Sequence, residues 1–175
     1  GTSPMEVMER HVHSPPPDPA SINPEIPPGL AGFALKLLEK DPHDPIALNF
    51  VGYVWADRGM NLDEAYKMIK EANDMKPDDP YILDSLGWVL FKMGKPKEAL
   101  IYMEKALKAL KDDPVINEHM GDILMSLGKS KRALDFYLRS STLNRAPSKD
   151  LKDKINKLLS PDMQDKGEHK QKDIP

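Results

Sequence analysis

Asp79-Pro-Tyr-Ile-Leu-Asp-Ser-Leu-Gly-Trp-Val-Leu-Phe-Lys-Met-Gly94 is the stretch that decides how this chain folds. Asp79 before Pro80 reads as a helix N-cap followed by proline at the first helical position, where a missing N–H costs nothing. Leu83, Leu86 and Leu90 recur at helical spacing, and Gly94 supplies the left-handed residue on which a helix ends. Thirty-five residues earlier stands Asp44-Pro45, followed by Val51-Gly52, Trp55 and Gly59, and thirty-four residues later stands Asp113-Pro114, followed by Met120-Gly121, Leu124 and Gly128. A unit that returns every 34 or so residues cannot bury its apolar face alone; it must stack on copies of itself.

Working outward, each first helix is followed by a second. The pattern predicts helices over 45–58 and 61–76, over 80–93 and 96–110, and over 114–127 and 130–144. Before the first pair, Leu30, Ala31, Ala34, Leu37 and Leu38 predict a lone helix over 29–40. It reads as the second half of a repeat, and so as the C-terminal end of a longer array. After the last pair, Ser148 caps a helix to Leu159 with Leu151, Ile155, Leu158 and Leu159 on one stripe and lysines on the other, as a terminal helix facing water requires. Residues 1–28, with Pro15-Pro16-Pro17, Pro19, Pro24, Pro27 and Pro28, read as an extended arm because each proline fixes φ and removes a donor. Residues 161–175 show no apolar periodicity and read as a disordered tail.

The chain has 175 residues, of which 39% are hydrophobic and 17 are proline, which fits one ordered domain with tails that bury little. A formal charge of −3 gives no global field toward nucleic acid or an acidic membrane. With no cysteine, disulfides, thiolate metal sites and thiol nucleophiles are excluded. No apolar run approaches the roughly 20 residues that span a bilayer, so direct insertion is not expected.

The pairs resemble the tetratricopeptide repeat. Pair one has Leu48-x2-Val51-Gly52-x2-Trp55, then Ala65-x3-Ile69-x2-Ala72 and Pro77. Pair two has Leu83-x2-Leu86-Gly87-x2-Leu90, then Ala99-x3-Met103-x2-Ala106. Pair three has Asn117-x2-Met120-Gly121-x2-Leu124, then Ala133-x3-Tyr137-x2-Ser140. Gly52, Gly87 and Gly121, with Ala65, Ala99 and Ala133, let the helices of a pair approach where a larger side chain would collide. The resemblance implies an all-α, right-handed solenoid of antiparallel helix pairs. It would hold three full repeats near 45–79, 80–113 and 114–147, a preceding half-repeat helix and a capping helix over 148–159, within a domain spanning 29–160. There are departures: one extra residue between Gly59 and Ala65 lengthens the first turn, Lys111 stands where proline is usual, and Asn117 and Ser140 read as a fraying end. The wording Leu-Asp-Ser-Leu-Gly-Trp resembles the C-terminal repeats of bacterial tetratricopeptide adaptor proteins, some of them envelope lipoproteins. That points to a bacterial source and favours the periplasm or envelope over the cytoplasm.

In the family the first helices line a concave groove. Carried over by register, that groove presents Asn49, Tyr53 and Asp57, then Tyr81, Asp84, Trp88 and Phe91, then Glu118 and Asp122, with Ile46 and Val115 at its edge. It is aromatic in the middle and acidic, against one clear cation, Lys92. Trp88 has two readings at this stage: it lines the groove, or it packs against Tyr53 of the preceding pair. Trp55 sits at an inward position and reads as core. Chaperone-binding members hold a C-terminal carboxylate with lysine, arginine and asparagine, and here only Asn49 matches, so a ligand with basic and apolar or proline residues fits better.

No chemistry competes with that reading. His11 and His13 lack a third metal ligand, and His43 and His119 lack a nucleophile partner. Ser85 and Ser126 lack a glycine-rich elbow, and there is no phosphate loop. Lys105, Lys108 and Lys111 sit among acids and read as a solvated face rather than an RNA site. The expected function is therefore a protein-binding scaffold without catalytic residues, metal or cofactor. The alternative is self-assembly, with the proline-rich arm filling the groove of its own or a neighbouring copy.

Overall fold

The computed structural model describes residues 36–160. The expected arm at 1–28, the first half of the 29–40 helix and the tail at 161–175 lie outside the described residues. The described residues are helical without any strand: residues 36–40 are helical, followed by α1 (Pro45–Asp57), α2 (Leu62–Met75), α3 (Pro80–Lys92), α4 (Pro96–Ala109), α5 (Pro114–Ser126), α6 (Ser130–Leu143) and α7 (Lys149–Leu159). The fold is all-α and built of antiparallel helix pairs in the manner of a helical repeat solenoid. The chain divides into two compact units, Gly1–Lys95 and Pro96–Pro175.

The three Asp-Pro entries work alike. Asp44 accepts from the Ala47 N–H at 2.7 Å, Asp79 from those of Tyr81 at 3.0 Å and Ile82 at 3.3 Å, and Asp113 from those of Val115 at 2.9 Å and Ile116 at 3.0 Å. These carboxylates satisfy amides that no helical carbonyl can reach, and a negative charge suits the positive end of the helix. Removing one by Asp113→Ala is expected to cost about 1 kcal/mol in chemical denaturation. Asp113→Asn, which keeps the acceptor, should lose much less. At the other ends Gly59, Gly94 and Gly128 adopt φ of 66°, 76° and 72°, a region in which a Cβ is strained.

In the first unit α1, α2 and α3 pack on one another, each pair in contact. The connection 58–61 between α1 and α2 is one residue longer than 93–95 and 127–129, and Asn61 takes a left-handed φ of 45° to absorb the extra residue. Leu48, Val51 and Trp55 from α1 and Ala65, Met68, Ile69 and Ala72 from α2 are buried. Gly52 is what lets these two helices close: a Cβ there would stand 2.7 Å from Ile69 Cγ1 and 3.0 Å from the Ala65 carbonyl oxygen. The α3 helix is unusual in that every residue from Ile82 to Leu90 is buried.

In the second unit α4 packs on α5, α5 on α6, and α6 on α7. Met103, Met120, Ile123, Leu124, Tyr137 and Leu151 are all at most 2% exposed. Asn117 and Ser140 do not fray. They are 0% and 1% exposed, and the Asn117 amide donates to the carbonyls of Lys111 at 2.9 Å and Asp113 at 2.7 Å, tying the α4–α5 connection to α5. A polar residue survives there because the connection supplies carbonyls that would otherwise be buried without donors.

Candidate functional site

The residues expected to line a ligand-binding face fall into both units. In the first, α1 brings Asn49, Tyr53 and Asp57, and α3 brings Tyr81, Asp84, Trp88 and Phe91. Since α2 runs back between them, α1 and α3 are parallel and enter from the same end, so residues equally far from Pro45 and Pro80 are in register.

The structure separates this set by depth. Trp88 is only 6% exposed. Its indole N–H donates to Asp57 Oδ1 on α1 at 3.3 Å, and its ring lies 5.2 Å from that of Phe91 at 33°. Lys92 stands over the Trp88 ring, 5.1 Å from its centroid. Asp57, Trp88, Phe91 and Lys92 are thus brought together as a tie between α1 and α3. Asp84 is 6% exposed. By contrast Asn49 and Tyr53 keep part of their surface in solvent, and Tyr81 is 58% exposed. Periodicity could not make this distinction, because residues 84, 88 and 91 sit where the inward and outward stripes of α3 meet.

In the second unit Glu118 and Asp122 lie on one face of α5 and hold a cation that the sequence reading missed. Lys154 of α7 reaches Glu118 Oε1 at 3.1 Å and Asp122 Oδ1 at 3.0 Å, and also Asp150 of its own helix at 2.9 Å. The Tyr137 hydroxyl donates to Asp122 Oδ1 at 2.7 Å, and Lys154 sits 5.7 Å over the Tyr137 ring. Lys154 had been counted among the solvent-facing lysines of α7. Lys152 and Lys157 are indeed exposed, but Lys154 lies one turn before Leu158 and shares the packed side.

The electrostatics follow from this geometry. Burial disfavours the charge on Lys154, but the carboxylates of Asp150, Asp122 and Glu118 outweigh it, so its ammonium is held above the ordinary 10.5. Burial, and then the Asp122 carboxylate, push the Tyr137 phenol above its ordinary 10.0. In both cases the folded state favours the protonated form. Their stabilisation is complete below the unfolded values and is lost as pH rises through the raised folded ones. Lys154→Ala is therefore expected to cost about 1–2 kcal/mol at neutral pH, a partly exposed network lying between surface and buried pairs. Thermal melting of the wild type should hold steady from neutral pH to about pH 10 on account of these two groups and fall beyond it, with a smaller fall in the variant.

Nothing in the described residues provides a catalytic or metal-binding constellation: no group of three or more histidines, aspartates or glutamates is placed to hold a metal ion. No helix among them is long and apolar enough to cross a membrane.

Comparison with known proteins agrees with the helix pairs. The family model described as the tetratricopeptide repeat matches residues 80–113. The TPR repeat-containing protein PA4667 of Pseudomonas aeruginosa is 40% identical over 72 residues, which are 41% of this chain and 12% of that protein. This chain therefore matches only a small part of that relative's length. Among solved structures, the thermophilic protein TTC0263 of Thermus thermophilus superposes with a TM-score of 0.59 at 22% identity, covering 88% of this chain and 89% of that one. The first repeat domain of Spaghetti (RPAP3), bound to the HSP90 peptide SRMEEVD, superposes with a TM-score of 0.58 at 19% identity, covering 67% of this chain and 92% of that one. With its Asp-Pro entries, glycine-closed helix pairs and matched repeat at 80–113, the chain is a tetratricopeptide-repeat protein.

Proposed function

We propose that this chain is a non-enzymatic scaffold whose first unit holds an extended or helical segment of another protein against the face shared by α1 and α3. The observation that carries the reading is the residual exposure of that face: Tyr81 is 58% exposed and Asn49 and Tyr53 are partly so, on two parallel helices that pack side by side. Aromatic and amide side chains left open on a rigid helical surface are what peptide recognition uses. The repeat domain of Spaghetti (RPAP3), which shares the fold, was solved with a peptide in place. That peptide ends in an acidic stretch, whereas the face in this chain has Asp57 and Asp84 and little to hold a carboxylate, so a partner with basic and apolar residues fits it.

Under this reading Trp88, Phe91 and Asp57 shape the face from beneath rather than touch the ligand first. Glu118 and Asp122 of the second unit already hold Lys154, so a basic partner residue would engage them only in exchange for Lys154. The test is display selection of peptides on the whole chain, followed by calorimetry with the winning peptide. Tyr53→Ser and Asn49→Ala should each weaken binding several-fold with the helical content unchanged. Binding that neither substitution affects, or the absence of any saturable peptide, would overturn the reading.

A further inference from the structure

Pro45, Pro80 and Pro114 are each followed by a large apolar residue that the fold leaves in water: Ile46 is 61% exposed, Tyr81 58% and Val115 49%. One exposed apolar side chain is ordinary on any surface. The same position apolar and exposed in all three first helices is a pattern of a different kind, since neither capping nor core packing asks for it. The Asp caps need only backbone amides, and the core-facing residues of the first turn are Ala47 and Leu48 in α1 and Ile82 and Leu83 in α3.

Within the first unit Ile46 and Tyr81 are in register at the same end of two parallel, packed helices, whose axes stand about 8–10 Å apart by the general geometry of helix packing. The connections that lead into them, 41–44 and 76–79, carry Asp41, Asp44, Asp78 and Asp79 against Lys76 and His43. The end of the unit is thus an apolar pair set in an acidic rim.

Resting on the proposed reading of this face, we infer that Ile46 and Tyr81 are the anchors for the partner, and that the partner is an extended segment with two apolar side chains three residues apart, flanked by lysine or arginine. Three residues of extended chain span about 10 Å, which matches the helix separation. The excess of carboxylates at that end supplies the complement for the flanking cations and would steer the encounter. The carboxylates also disfavour an acidic ligand tail.

The probes are three synthetic peptides titrated into the whole chain: one with two leucines three residues apart between lysines, one with the lysines changed to glutamate, and one with the leucines changed to serine. The first should bind saturably, and the other two should bind about tenfold more weakly or not at all, as loss of one buried aliphatic contact would give. Ile46→Ser/Tyr81→Ser, at exposed positions where folding is checked by circular dichroism, should weaken the first peptide by a similar factor. Equal binding of the glutamate peptide overturns the basic partner. Binding that survives Ile46→Ser/Tyr81→Ser but is lost in Tyr53→Ser overturns the anchors while leaving the α1–α3 face in place. Binding by none of the peptides, with self-association that Ile46→Ser/Tyr81→Ser abolishes, would make the occupant a second copy and overturn the inference. Binding by none and no self-association overturns it too.

Discussion

Trp88→Ala is expected to destabilise the first unit by about 3–5 kcal/mol, the usual cost of deleting a large aromatic from a packed site. The side chain is 94% out of solvent, its indole N–H serves Asp57 of α1, and its ring is covered by Phe91 and Lys92. Truncation would leave a cavity between two helices and strip Asp57 of its donor. Urea denaturation measures the loss. A surface position would give a change within about 0.5 kcal/mol, so the experiment separates a structural tie from a ligand contact. Trp88→Phe, which keeps most of the volume and deletes the donor, should cost less, about 1–2 kcal/mol.

The second large effect is expected at Gly121. A Cβ there would stand 2.3 Å and 2.5 Å from two carbons of the Tyr137 ring, distances no real contact tolerates. The ring cannot simply move aside, because its hydroxyl is bonded to Asp122, which in turn holds Lys154 of α7. Gly121→Ala gains about 1 kcal/mol in helix propensity, yet a net loss of about 2 kcal/mol is expected from overpacking. The displaced ring would loosen α7 as well. Gly121→Ala combined with Tyr137→Leu should then be less destabilised than the two single losses added, since the smaller side chain removes the collision. Additive losses would show that the ring is not what the glycine accommodates.

Much of the architecture can be read from the chain because each helix is bounded by residues with one physical use. Aspartate followed by proline opens α1, α3 and α5, and a glycine with positive φ closes each. The 34-residue return then places the helix pairs. The site is less legible, for two reasons. First, α3 is buried from Ile82 through Leu90, so the simple division into inward and outward stripes fails on the helix where it mattered most. Trp88 and Asp84 stand on its outward stripe by register and are nonetheless covered. Secondly, the partner of Glu118 and Asp122 is thirty-two or more residues away on a helix whose lysines look alike in sequence. Only its packing against α6 turns Lys154 inward while leaving Lys152 and Lys157 in water. Asn117 carries the same lesson in miniature: a polar residue at an apolar register position reads as disorder but is a fully buried link to the preceding connection.

The central claim is that the face shared by α1 and α3 is where this protein meets its partner. Backbone amide chemical shifts of the whole chain, followed during titration with the selected peptide, test it most directly. The account predicts saturable changes that concentrate on Ile46, Asn49, Tyr53 and Tyr81. Changes concentrated instead on α2, or on α4 and α6, with Ile46, Asn49, Tyr53 and Tyr81 unmoved at saturation, would contradict it.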